Sequence, residues 1–163
     1  MSQTPIDGPL DGHLFGPGQP CFGCGPDHPN GMRLTFQREG DEIVTRYTPR
    51  RDQQSAPNIM HGGLVATLAD ELGGWAVVGL SGKFGFTASF TARYPRATRM
   101  GVEIEGRAKL VGPVRRLADV DVVLRQEGHD VFTGRFRFAM LDRAAAEKML
   151  GGSIPDAWER FCR

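Results

Sequence analysis

His61-Gly62-Gly63-Leu64-Val65-Ala66-Thr67-Leu68-Ala69-Asp70-Glu71 leads into the longest apolar run of this 163-residue chain, Leu64 to Leu80. Leu64, Leu68, Leu72, Trp75 and Val78 recur at helical spacing. The intervening positions are also small or apolar: Val65, Ala66, Ala69, Gly73, Ala76 and Val77. A helix apolar nearly all round is a core helix, enclosed by other structure. Gly79 is the expected stop, since glycine commonly follows a helix C-terminus. About eighteen residues would run roughly 27 Å. Two acids, Asp70 and Glu71, interrupt the run. A buried charge is costly unless paired or hydrogen-bonded, so their presence points to chemistry. Each acid would cost about 2.5–3.5 kcal/mol at mid-bilayer, which argues against a membrane span.

On either side of the helix the periodicity changes to two. Met32, Leu34 and Phe36 alternate with Arg33, Thr35 and Gln37; Gly40-Asp41 turns the chain, and Ile43, Thr45 and Tyr47 continue it. This is a hairpin signal. After the helix, Phe84, Phe86, Ala88, Phe90, Ala92 and Tyr94 form one face of a strand. Three further strands follow: one on Val102, Ile104, Gly106, Ala108 and Leu110, one on Ala118, Val120, Val122 and Leu124, and one on Phe132, Gly134, Phe136, Phe138 and Met140. One-sided alternation with short turns, such as Gly112-Pro113 and Glu127-Gly128, means an antiparallel sheet with one buried face. Two strands, a buried helix, four strands and a terminal helix (Ala144 to Leu150) make an α+β layer arrangement. A strongly twisted sheet can curl around such a helix. The expected organisation is an irregular Gly/Pro-rich arm over residues 1–30, a domain over 31–141 and a helical tail over 142–163.

Length fits a single domain able to bury a sizeable core. A formal net charge of +1 offers no global attraction for nucleic acid or an acidic membrane. The first twenty residues lack the basic-then-apolar pattern of a secretory signal. Three cysteines, an odd number, do not make a disulfide framework. A cytoplasmic location is the expectation.

The paired glycines would leave backbone N–H groups open to a substrate oxygen at a helix N-terminus. With an acid two turns later, these are the parts that acyl transfer needs. The element order and the HGG-x6-D-E segment resemble the hotdog fold, specifically the PaaI-type acyl-CoA thioesterases of the 4-hydroxybenzoyl-CoA thioesterase superfamily. Cys21-Phe22-Gly23-Cys24-Gly25-Pro26-Asp27-His28-Pro29-Asn30-Gly31-Met32-Arg33-Leu34 is similar to the opening of one branch, with His28 where Asn is usual and Met32 where Leu is usual. Thr87-Ala88-Ser89-Phe90-Thr91-Ala92-Arg93-Tyr94 resembles the family's T-A-x-L-x-x-x-Y strand, and Gly112 to Leu117 its next turn.

The resemblance implies an acyl-CoA thioester as substrate, no metal or organic cofactor, and a homodimer or homotetramer whose sheets join edge to edge with sites between protomers. It implies Asp70 as general base or as nucleophile, the Gly62 N–H as polariser of the carbonyl, Thr87 as an assistant to the base or water, and His61 and Gly63 as site residues. A polar residue before the HGG completes that pattern, and Gln54, Ser55 and Asn58 compete for it. Eight residues along one helix separate Gly62 from Asp70 by about 12 Å, so the two roles converge only if they come from different protomers.

Glu71 lies about 100° round the helix from Asp70; it either pairs with an arginine or shares the site. Arg115 and Arg116 after the Gly112-Pro113 turn, ahead of Arg93, Arg96 and Arg99, suit the phosphates of coenzyme A. Cys21-x-x-Cys24 with His28 has part of a zinc spacing, but a structural zinc takes four ligands, so partly buried thiols in a folded arm are expected instead. Beside hydrolysis stand two alternatives. A non-catalytic acyl-CoA binding module gains nothing from a buried carboxylate. An enoyl-CoA hydratase would need a close Asp/His pair, which the chain does not display.

Overall fold

The computed structural model describes residues 5–162; residues 1–4 of the arm and residue 163 of the tail lie outside the described residues. Six strands, β1 (Gln37–Glu39), β2 (Glu42–Tyr47), β3 (Gly85–Arg93), β4 (Ile104–Val111), β5 (Leu117–Gln126) and β6 (His129–Met140), form one sheet in the order β1-β2-β4-β5-β6-β3. Every neighbouring pair is antiparallel. Helix α1 (Gly62–Ser81) lies between β2 and β3 in sequence and packs against the sheet, while α2 (Arg143–Leu150) follows β6. This is the hotdog fold: one long helix in the curve of an antiparallel sheet.

The sheet's inner face is built from the alternations that the sequence displays. Ile43 on β2, Ile104 and Ala108 on β4, Ala118, Val120, Val122 and Leu124 on β5, and Phe132, Phe136 and Phe138 on β6 are all buried against α1. Gly134 sits between two of these rings, and a Cβ there would come within 2.9 Å of Phe132 and 3.0 Å of Phe136. The outer face carries charge pairs in register. Asp119 faces Arg137 and Asp121 faces Arg135, each pair joined by two N–H···O bonds of 2.7–2.9 Å.

By length and composition α1 could cross a membrane. Here its Leu68, Ala69, Leu72 and Ala76 are wholly buried within the domain. The helix does not stop at Gly79. That glycine lies inside it, where a Cβ would fall 2.8 Å from both Ile43 and Leu10, so its missing side chain lets β2 and the arm close on the helix. The stop is Gly82, in the left-handed conformation (φ 66°), whose N–H donates to the Val78 carbonyl.

Two strand expectations also change. Met32, Leu34 and Phe36 are buried alternately as expected, but β1 begins only at Gln37. Residues 32–36 run against the arm instead, with Arg33 in the left-handed conformation (φ 54°): Met32, Leu34 and Phe36 donate backbone N–H groups to Phe22, Gly23 and Leu10 at 2.8–2.9 Å. The arm is thus part of the core, with Leu10 and Phe15 buried. Strand β3 is the second departure. It lies at the sheet's edge and is exposed along most of its length, so the face read as buried leaves Phe86, Phe90 and Tyr94 in the open. In the tail, Asp142 caps α2 through the Ala145 N–H. Cys162 is buried there beside Ala146 and Ile154.

Candidate active site

Asp70 projects from the middle of α1 into a cavity of about 220 Å³, lined by Cys21, Cys24, Glu71, Trp75, Phe84, Phe86, Thr87, Phe138 and Trp158 among others. The Thr87 hydroxyl donates to Asp70 Oδ1 at 2.5 Å. A β-bulge makes this contact. The β3–β6 register pairs Thr87 with Phe138 and then Ser89 with Arg137, skipping Ala88. Opposed residues of an antiparallel pair share a face, so Thr87 joins Phe138 on the helix side and Phe90 joins Phe136. Strict alternation would separate 87 from 90; the extra residue re-aims one of them, a common use of bulges beside functional sites. Burial raises the Asp70 carboxyl above its ordinary value, and the Thr87 hydroxyl acts in the opposite direction by bonding the charged form.

Glu71 lies beside it but pairs with no arginine among the described residues. Its partner is Cys21, with Sγ 3.1 Å from Oε1. Burial, and then the nearby Cys21, push the Glu71 carboxyl up to about 8. The Cys24 thiol and backbone N–H favour charge on Cys21, whereas Cys24 itself is pushed up. His28 is not among these groups; its ring meets Phe22 and accepts from the Asn30 N–H. The Cys21–Glu71 contact escaped sequence reading because fifty positions separate the partners, and the Cys-x-x-Cys spacing was its one signal.

The glycine pair lies at the N-terminal end of α1, away from Asp70. Gly62 and Gly63 open α1, with His61 as its N-cap, and the Gly63 N–H donates to His61 Nδ1 at 3.0 Å. The Gly62 N–H has no partner among the described residues, and a Cβ on Gly62 would meet nothing nearer than Tyr94 at 3.8 Å. Neither glycine packs on the sheet; that role falls to Gly73 against Phe138 and Gly79 against Ile43. The Tyr94 hydroxyl donates to the Gly62 carbonyl at 3.0 Å. Within one protomer, the helix rise keeps Gly62 about 12 Å from Asp70.

The remaining candidates fall around these two centres. Asn58 is exposed and left-handed (φ 64°), and its carbonyl accepts from the Met100 N–H. Gln54 and Ser55 are also exposed, while the neighbouring Gln53 is buried and accepts from the Tyr47 hydroxyl and the Arg50 N–H. Arg115 and Arg116 are exposed on the β4–β5 connection. The Arg116 carbonyl accepts from the Met140 N–H, and Met140 pairs with Gly85, two residues before Thr87. That connection therefore lies at the Thr87 end of β3. A larger open cleft of about 680 Å³ between residues 6–11 and 35–40 contains none of the candidate residues.

Residues 57–133 match the family described as Thioesterase superfamily. No curated protein matches in sequence. Solved structures that are similar include a hypothetical thioesterase with coenzyme A from Streptococcus pneumoniae TIGR4, with 21% identity and TM-score 0.61, covering 66% of this chain and 84% of that one. The zebrafish thioesterase superfamily member 2 is similar at 21% identity and TM-score 0.64, covering 71% of this chain and 89% of that one. A Streptococcus mutans protein bound to acetyl-CoA matches at 17% identity and TM-score 0.61, covering 66% and 87%. This chain is a hotdog-fold protein whose residues 57–133, from Pro57 before the HGG segment through Thr133 in β6, carry the sequence pattern of the thioesterase superfamily.

Proposed function

We propose that the protein hydrolyses an acyl-CoA thioester, with Asp70 of one protomer and the Gly62 N–H of its partner acting on the same carbonyl. The observation that carries this reading is the Thr87–Asp70 hydrogen bond in an aromatic-lined cavity. It aims a carboxylate, which a core helix has no packing reason to hold, at a space fit for an acyl group. As base, Asp70 takes a proton from water, and the hydroxide attacks the carbonyl carbon. The tetrahedral oxyanion is received by an N–H at a helix N-terminus, where the dipole favours negative charge. The carbon–sulfur bond then breaks, and the thiolate leaves and takes up a proton. As nucleophile, Asp70 would instead form an anhydride that water opens. The unpartnered Gly62 N–H supports the oxyanion role, and the exposed aromatic edge of β3 supports a protomer–protomer contact along it. Exposed Arg115 and Arg116, at the Thr87 end of the sheet, supply a track for the phosphates of coenzyme A. Coenzyme A ligands in two structurally similar proteins accord with that substrate class. Unpaired cysteines accord with a reducing, cytoplasmic setting.

The test is thiol release from a panel of acyl-CoAs by wild type and Asp70→Asn, with the protein's own cysteines blanked. Loss of a positioned base costs about 10²- to 10⁴-fold in rate. Equal release by both proteins refutes the assignment. Tight acyl-CoA binding without release by either would make the protein a binding module.

A further inference from the structure

We infer that Cys21, Cys24 and Glu71 form a binding site for a thiophilic divalent cation such as Zn²⁺, opening on the cavity that holds Asp70. This does not rest on the hydrolase reading. The two sulfurs and a Glu71 carboxylate oxygen all lie within 4.8 Å of one another. Zinc bonds of about 2.3 Å to sulfur and 2.0–2.2 Å to oxygen put tetrahedral ligand atoms roughly 3.4–3.8 Å apart. With Cys21 Sγ already 3.1 Å from Glu71 Oε1, side-chain adjustment alone closes the set.

The backbone around the cysteines is built to hold them. Residues 21–25 form a tight turn in which the Gly25 N–H donates to the Cys21 carbonyl at 2.9 Å, and the Cys24 N–H donates to Cys21 Sγ at 3.3 Å. An amide aimed at sulfur favours the thiolate, the form that binds metal. The turn is fastened by the Met32 and Leu34 N–H groups, bonded to the Phe22 and Gly23 carbonyls. It is pressed onto the helix at Gly23, where a Cβ would fall 2.2 Å from Glu71 Cγ and 2.3–2.6 Å from its carboxyl group. Gly25 and Gly12 leave equally little room, their Cβ positions lying 2.5 Å from the Cys21 carbonyl oxygen and 2.3 Å from that of Cys24. Three glycines thus let a thiol pair close over a carboxylate.

Without a cation the grouping is electrostatically poor. Glu71 and both cysteines are acids, Asp70 is next in sequence, and no lysine or arginine bonds to any of them among the described residues. A divalent cation would hold both sulfurs as thiolates and offset two of the three negative charges, releasing the thiol protons as it binds. Two soft sulfurs select zinc over magnesium or calcium. Three protein ligands leave a fourth position for water or for Asp70, an open arrangement rather than a closed structural one.

The test uses full-length protein, stripped with chelator under a phosphine reductant and titrated with Zn²⁺ against a chromophoric competitor. Co²⁺ serves as a second probe, through its thiolate charge-transfer absorption. One equivalent per chain is expected. Cys24→Ser and Glu71→Gln should each weaken Zn²⁺ by at least tenfold, and His28→Ala and Cys162→Ser should not. Zn²⁺ should raise the melting temperature of wild type and leave that of Cys24→Ser unmoved, which separates lost binding from lost folding. Substoichiometric uptake by the reduced wild type overturns the proposal. So does unchanged affinity in Cys24→Ser or Glu71→Gln, or a Cys21–Cys24 disulfide that takes up no metal once reduced.

Discussion

Replacing Thr87 by Val removes a single hydrogen bond and keeps the branched shape of the side chain. Its hydroxyl donates to Asp70 at 2.5 Å, and hydrogen bonds to charged groups are worth about 1.5–3 kcal/mol. At 1.36 kcal/mol per decade, losing that orientation in the transition state lowers kcat by roughly 10- to 150-fold. Folding should weaken by up to the same amount, about 1.5–3 kcal/mol, because Asp70 loses a hydrogen bond, offset in part by valine's preference for an exposed edge strand. The assay is steady-state hydrolysis of the best acyl-CoA, with urea unfolding run in parallel. Thr87→Ser, which restores a hydroxyl at the same position, should recover most of kcat. KM should move much less than kcat, since the bond aims the carboxylate rather than holding substrate. Wild-type kcat in Thr87→Val refutes the reasoning, as does a serine variant no better than the valine one.

The Arg115→Ala/Arg116→Ala double variant should raise KM for acyl-CoA by about tenfold or more while leaving short pantetheine thioesters unaffected, as expected of charge-assisted phosphate contacts; equal effects on both would remove the phosphate role. Phe36→Ala should cost about 3–5 kcal/mol in urea unfolding, because the ring is buried and stacks on Trp75 at 5.2 Å between centroids; a cost under a third of that would mean that the segment after the arm is not core. Gly106→Ala should cost about 1–3 kcal/mol by overpacking, since its Cβ would lie 2.7 Å from Leu72 and 2.9 Å from Leu124. The Arg137 and Arg135 guanidinium groups hold Asp119 and Asp121 below the ordinary 3.8. Their contribution to stability is therefore complete above that value and is lost as pH falls through the lower folded-state values. Melting temperatures of Asp119→Asn/Asp121→Asn and wild type should differ at neutral pH and converge in strong acid; a constant gap would rule this out.

The helix, strand β2 and the three strands after β3 are legible in the sequence because period and burial agree there. Ala118, Val120, Val122 and Leu124 point inward while Asp119 and Asp121 point outward. Legibility fails where a residue's surroundings come from distant chain. Gly79 resembles a helix stop until Leu10 and Ile43 are seen to need its space. Phe86 and Phe90 look like core until β3 turns out to be the sheet's edge. Asp70 is conspicuous as an acid in an apolar helix, but its bond to Thr87 depends on one bulged residue, Ala88, which binary patterning cannot signal. Of the two readings open for Glu71, an arginine partner fails for a similar reason: its neighbour among the described residues is a thiol carried in by the folded arm.

Strand β3 touches both ends of the proposed chemistry. Thr87 near its start reaches Asp70, and Tyr94 just past its end reaches the Gly62 carbonyl. In the proposed dimer, an antiparallel two-fold pairing of this edge with its copy, centred near Phe90, would set the Thr87 end of one protomer against the Tyr94 end of the other. The partner's helix start would then approach Asp70 and close the gap that a single rigid helix enforces. Complementation tests this without disturbing the interface. Gly62 is the first residue of α1, where proline is tolerated because its ring removes only an N–H that the helix does not use. Gly62→Pro and Asp70→Asn should each be nearly inactive alone. Co-expressed, they assemble hybrids with one site lacking both groups and one site intact, so random pairing restores about a quarter of wild-type activity. If both groups acted within a single protomer, no mixture could recover anything, and activity of the co-expressed sample at the level of the separate variants would reject the shared site.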